Sequence, residues 1–353
     1  MGPARGTGIE ARGLPMGTKY RISRRTLLAG GTAFSLVPVA GARVSAQVLD
    51  KVTFQTDWRA QAEHGGYYQA VAAGIYRRYG IDCDLRQGGP QQNPAQMLVG
   101  GRADLIMSNP FQALNYARDA MPFLCIGAIF QKDPVILMTH EEAGIDSFEK
   151  MRGRPISISA AGRVTHWPFL RSRFGFDDSQ IRPKSVSLQP FMVDRNAIYQ
   201  GFVSSEPFSA IQAGAKPHVH LLADAGYEAY NTTIDVSARL VAEKRDVVQR
   251  FIDATVEGWT EYMKGQDIAA ANALIKRHNP EMPDDLMAYG LRAMNERGIV
   301  RSNEALTLGI GAMTHERWDR FYTIMRETGV YPAGLDIRRG YSLDFVNRKV
   351  GVG

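Results

Sequence analysis

The chain has 353 residues, 44% of them hydrophobic and 22% charged, with 42 basic against 36 acidic side chains and 2 cysteines. The basic surplus sits in the first 46 residues, where Arg5, Arg12, Lys19, Arg21, Arg24, Arg25 and Arg43 stand against Glu10 alone; residues 47–353 carry 35 of each sign, so charge gives no reason to invoke nucleic acid. Two cysteines are too few for a thiolate metal cluster, and the length beyond the leader exceeds one ordinary core, which points to two lobes.

Residues 1–46 read as an address. A charged stretch precedes the weakly apolar run "LLAGGTAFSLVPVAGA", and "VSA" then offers a small-residue cleavage site, so removal is expected near Ala46/Gln47. The run is shorter than the ~20 apolar residues of a membrane span; an uncleaved anchor is the alternative. "SRRTLL" at Ser23–Leu28 has the form of a twin-arginine signal, which implies the twin-arginine export machinery as a partner and the periplasm as destination.

From residue 51 to about 240, short apolar strands alternate with helix-period segments. "KVTFQTDW" leads into a helix reaching Tyr79, "IDCDLRQ" into one around "PAQMLVGG", and "ADLIMSN" into "PFQALNYARDA"; "FLCIGAIF" and "PVILMTH" follow. A second series opens with "DSFEKMRG", where Asp146 as N-cap, Glu149 at N3 and Gly153 as stop predict a helix. It continues through "PISIS", a helix over "THWPFLRSRFGF", then "KSVSL", "NAIYQG" and "HVHLLAD". After about residue 245 the pattern is helical, beginning with "DVVQRFIDATVEGWTEYMKG". The alternation predicts an α/β protein of two lobes with helices on both sheet faces and a helical C-terminal tail. Hinge strands fall near "VILMTH" and "TTIDVSARLVA", giving lobe 1 as residues 47–139 and 238–353 and lobe 2 as residues 140–237. Ligands of open α/β sheets bind at the carboxyl ends of strands. Cys83 and Cys125 lie in apolar strands; burial and pairing in an oxidising compartment both stay open.

The order "TDW", "EHGGYYQAVAAGIYRRYGIDCDL", "MLVGGRADLIMSNP", "DSFEKMRGRPISIS" and "QGFVSSEP" resembles the periplasmic solute-binding proteins of ABC importers, in the branch named for thiamine-pyrimidine synthesis (NMT1/THI5-like). The resemblance runs from about residue 50 to 262. It implies a type II periplasmic-binding-protein fold, two lobes joined by two crossing strands and closing on a small solute, with an ABC permease and its ATPase as partners. The expected solute is a thiamine pyrimidine precursor of the formylaminopyrimidine kind. Relatives take riboflavin, nitrate, sulfonates or taurine, so a sulfonate, nitrate, carboxylate or riboflavin receptor is the alternative. Pyrimidine binders of the branch carry a Gly-Tyr-x-x-x-Glu turn whose Glu holds the ring amino group. "GFVSSE" matches it at Gly201 and Glu206 with Phe202 in place of Tyr, which removes a hydroxyl and keeps the stacking face. Fungal members are pyrimidine-forming enzymes with a cysteine cluster and iron; the cysteine count here speaks against that activity, and no cofactor or metal is expected.

Individual residues carry this reading unevenly. Asp57 and Trp58 end a strand where a flat ligand can stack, and Trp58 as core is the competing reading. His64 is a hydrogen-bonding candidate, with capping or a surface position as the alternative. Tyr67 and Tyr68 point to different sides of a helix, one toward the cleft; Tyr67 is the candidate. Asn109 ends "ADLIMSN" and contacts solute or serves only as N-cap ahead of Pro110. Arg163, in the small-residue turn "SISAAGRVTHW", adds a charge for an anion or stays solvated. Glu206 accepts from an exocyclic amine or makes a helix-start ion pair. His218 and His220 share a strand face but lack a third ligand for a metal. No nucleophile elbow or readable triad is present, so the expectation is a monomeric binder rather than an enzyme.

Overall fold

The computed structural model describes Gly2 and residues 48–89, 92–185 and 187–350. The stretch with Arg24 and Arg25 that is expected to be a leader, and the cleavage expected at Ala46/Gln47, lie outside the described residues. Among those described, no helix is long and apolar enough to cross a membrane.

Among the described residues, ten strands form two five-stranded sheets. The first contains β1 (Asp50–Gln55), β2 (Ile81–Arg86), β3 (Leu105–Ser108), β4 (Phe123–Phe130) and β10 (Asn231–Ser237), in the order β2-β1-β3-β10-β4. The second contains β5 (Val135–His140), β6 (Ile156–Ile158), β7 (Ile181–Pro183), β8 (Ile198–Phe202) and β9 (Pro217–Leu221), in the order β7-β6-β8-β5-β9. β1 runs parallel to β2 and β3, and β6 to β7 and β8, whereas β10 and β5 are antiparallel to both neighbours. The two sheets therefore share one plan, in which the strand arriving from the other half inserts beside the third strand. β5 and β10 are the two joining strands. By strand pairing the crossings fall at residues 131–134 and 222–230, so β5 belongs wholly to the second lobe and β10 to the first. That moves the limits read from the sequence by about one strand at each crossing.

Strands covered on both faces read as unbroken apolar runs. "VILMTH" of β5 is buried along its whole length, and seven of the eight residues of β4 are buried. The C-terminal helices cover the first sheet. Arg245–Lys264 lies across the helix Gly65–Ala72, where a Cβ on Gly66 would sit 2.1 Å from the Trp259 ring and one on Gly65 would sit 2.0 Å from that of Tyr262. The two glycines of "EHGGYY" thus permit a helix contact that no larger residue allows.

Two local expectations are corrected, and the open question of cysteine pairing is answered. "DSFEKMRG" forms only a single 3-10 turn, Glu149–Met151, and the Asp146 carboxylate accepts from Lys150 Nζ at 2.7 Å, with no helix there for it to cap. The strand placed at "KSVSL" lies earlier, at Ile181–Pro183, started by the capping turn of Asp177 with Gln180. Cys83 and Cys125 are free. They sit on β2 and β4, the opposite edges of one sheet, so they stand about 19 Å apart by strand spacing, far beyond disulfide reach.

Candidate functional site

In both lobes the parallel strands aim their carboxyl ends at one cleft of about 310 Å³. After β1 the chain turns through Thr56, Asp57 and Trp58. Gly88 closes over this turn: its N–H donates to the Trp58 carbonyl at 2.9 Å, and a Cβ there would lie 2.5 Å from the Asp57 carbonyl carbon. With the backbone held from behind, the indole projects outward and is 45% exposed. His64, at the start of the following helix, is buried and lines the cleft; its Nε2 lies 3.3 Å from Asp57 Oδ1, and its Nδ1 has no partner among the described residues. Glu63 is buried beside it and accepts from Ser204 Oγ of the second lobe. Burial pushes its carboxyl above the usual range, with the Ser204 hydrogen bond opposing.

The second lobe presents the ends of β6, β7 and β8, which are Ser159, Lys184 and Phe202. Phe202 is 36% exposed. Among the described residues Trp58 and Phe202 are the only exposed Trp and Phe side chains, and they come from opposite lobes. Behind Phe202, Glu206 folds back under the turn. Its Oε1 accepts from Lys184 Nζ at 2.7 Å, and its Oε2 from Phe202 N–H and Ser205 Oγ, each at 2.7 Å. A Cβ on Gly201 would fall 2.7 Å from Glu206 Cβ, which explains the glycine. Gln200 Oε1 accepts from the Ser159 N–H at 2.8 Å, and Ser159 Oγ accepts from the Gly162 N–H at 3.0 Å.

Asn231 and Thr232, at the start of β10, also line the cleft. Asp133 accepts from Val135 N–H and from Asn231 Nδ2, both at 2.9 Å, tying one crossing to the other, and burial pushes its carboxyl up to about 6. Thr232, which lines the cleft, has φ +50, a left-handed backbone that a β-branched residue adopts at a cost of ~1–3 kcal/mol. Larger hollows exist. One of about 610 Å³ is bordered by Lys132, Asp224, Glu228, Glu304, Arg317 and Arg320, but these charges pair with one another. The smaller cleft is the one that combines aromatic faces with uncommitted polar atoms, the mark of a small-molecule site.

Of the residues singled out from the sequence, Asp57, Trp58, His64, Phe202 and Glu206 meet around this cleft. Tyr67 does not: its ring is fully buried between Phe54 and Trp259, with centroids 4.6 and 5.6 Å away. Tyr68 is core as well, its hydroxyl 2.9 Å from His278 Nδ1. Asn109 is spent as N-cap, accepting from Gln112 N–H, and does not line the cleft. Arg163 lies on the outer surface beside Pro168 and Arg171, because its short helix turns it away. Sequence reasoning missed Lys184, Gln200, Asn231 and Thr232. Among the described residues, no group of three or more His, Cys, Asp or Glu is placed to hold a metal.

Two mixed α/β lobes joined by two crossing strands, with a ligand-sized cleft at the strand ends, define a periplasmic-binding-protein fold. The same fold is found in the periplasmic aliphatic sulphonate binding protein SsuA of Escherichia coli, at a TM-score of 0.61 and 13% identity, covering 82% of this chain and 91% of that one. The sequence model described as NMT1/THI5 like matches residues 61–269, and the chain belongs to that family. Similar proteins include the riboflavin-binding protein RibY of Chloroflexus aurantiacus, 22% identical over 89% of this chain and 92% of that protein. The 4-amino-5-hydroxymethyl-2-methylpyrimidine phosphate synthase of Schizosaccharomyces pombe is 23% identical over 37% of this chain and 38% of its own length.

Proposed function

We propose that this chain is an exported solute receptor of an ABC importer, not an enzyme, and that it captures a small flat nitrogen heterocycle between Trp58 and Phe202. The observation that carries the reading is the pair of exposed aromatic side chains, one from each lobe, that line one cleft of about 310 Å³. Left open to water they cost apolar exposure; closed on a ring they stack on both its faces. Asp57 and His64 orient the ring from the first lobe. The candidate solutes are a thiamine pyrimidine precursor, which the family resemblance brings, and a flavin, which the length of the match to RibY favours. Permease and ATPase partners, a monomeric receptor and twin-arginine export to the periplasm belong to the same reading.

Native mass spectrometry of the protein recovered from its own host tests it: a retained aromatic heterocycle is expected, and a retained aliphatic solute would refute the ring. For export, replacing Arg24 and Arg25 with Lys is expected to leave precursor in the cytoplasm, whereas undiminished mature protein beginning near Gln47 outside would mean another route.

A further inference from the structure

Two second-lobe residues that line the cleft, Lys184 and Gln200, keep hydrogen-bond donors uncommitted among the described residues. Glu206, the acid expected to hold an amino group, already accepts from three donors, Lys184 Nζ, Phe202 N–H and Ser205 Oγ. Lys184 is donor-only and has three N–H bonds, of which one goes to Glu206 among the described residues. Lys184 lines the cleft, with its ammonium 5.2 Å from the centroid of the Tyr199 ring. Gln200 is 7% exposed and also lines the cleft. The Ser159 N–H can only donate, so the Gln200 atom it meets at 2.8 Å is the oxygen. That fixes the amide orientation and leaves Nε2, a donor, with no acceptor among the described residues.

We infer that Lys184 and Gln200 are specificity-determining residues and that the solute presents a carbonyl or ionised-oxygen edge to the second lobe. This rests on the ring reading above and narrows it to oxo-substituted heterocycles over amino-substituted ones. An amino group placed there would meet an ammonium and an amide NH₂ without an acceptor, and a polar group left unpaired in a closed cleft loses far more binding than a pair gains.

The test is calorimetric titration of wild type, Lys184→Met and Gln200→Glu with two matched probe pairs: 2,4-dioxo- and 2,4-diaminopyrimidine, and the tricyclic dione lumichrome with its 2,4-diamino analogue. Gln200→Glu keeps an oxygen for the Ser159 N–H and replaces the donor by an acceptor, so a merely structural Gln200 would leave the preference untouched. Lys184→Arg, which keeps charge and donors, controls for folding alongside thermal melting. Wild type is expected to favour the oxo member of a pair at least tenfold, both variants to cut that ratio at least tenfold, and Lys184→Arg to retain most of it. Preference for the amino member, or a ratio unmoved in Lys184→Met and Gln200→Glu, would overturn this inference alone. If no ring compound binds and taurine does, the ring reading falls and this inference with it.

Discussion

The turn after β1 and the turn after β8 are the same device, a strand end leading through an exposed aromatic and an acid into a helix, yet they use the acid in opposite ways. Asp57 is half exposed and, among the described residues, has one side-chain hydrogen-bonding partner, His64 Nε2 at 3.3 Å. Glu206 is mostly covered and holds together its own turn through Lys184, Phe202 and Ser205. A carboxylate that has met three donors is scaffold, and one that has met a single imidazole still has lone pairs for a guest. The difference also reassigns polarity, with acceptors from the first lobe and donors from the second.

The largest expected effect falls on packing behind the first turn. Gly66→Ala places a methyl within 2.1 Å of the Trp259 ring and should cost at least ~3 kcal/mol, at the top of the overpacking range; a melting temperature within a few degrees of wild type would show the two helices to be loosely packed. The comparison itself is sharpened by Glu206→Gln against Asp57→Asn. The first sets an amide NH₂ against N–H donors and should cost about 1–3 kcal/mol of stability in urea unfolding, whereas the second should stay within about 0.5 kcal/mol and act on solute binding. Equal stability losses would erase the distinction between scaffold and recognition. The smallest effect concerns pH. Glu63 holds its proton in the fold above the value of 4.5 at which the unfolded chain releases it. Above that pH the folded state binds more protons, so this group's contribution to stability falls as pH rises from 4.5 through the folded value. Glu63→Gln, which keeps a partner for Ser204, should therefore gain on wild type as pH rises over that window. A difference between the two that does not change with pH would mean that Glu63 ionises normally.

The two-lobe plan was legible because strands buried on both faces write themselves as apolar runs, "FLCIGAIF" and "VILMTH" above all. The crossings were less so: nothing in the composition of β10 says that it returns to the first sheet, since pairing is a long-range fact. At the site, Asp57, Trp58, His64, Phe202 and Glu206 could be read as strand-end residues. Tyr67 misled because the indole that buries it, Trp259, comes from 192 positions further along. Lys184 was lost through one local error. With β7 placed at "KSVSL" rather than Ile181–Pro183, Lys184 falls at the amino start of a strand instead of just past a strand's carboxyl end, where ligands gather. Correct placement of that short strand would have signalled it. Gln200 sits inside β8, and only the register of β6 against β8 brings its oxygen to Ser159.

Solute titration of Trp58→Ala and Phe202→Ala, with the heterocycle that wild type retains, tests the central claim most directly. Both side chains are exposed in the cleft, so each substitution should leave the melting temperature nearly unchanged while weakening binding by about 1–3 kcal/mol, the range for an aromatic anchor and its buried area. Full affinity in both variants would contradict the account, since the solute would then bind without the aromatic pair that defines the site.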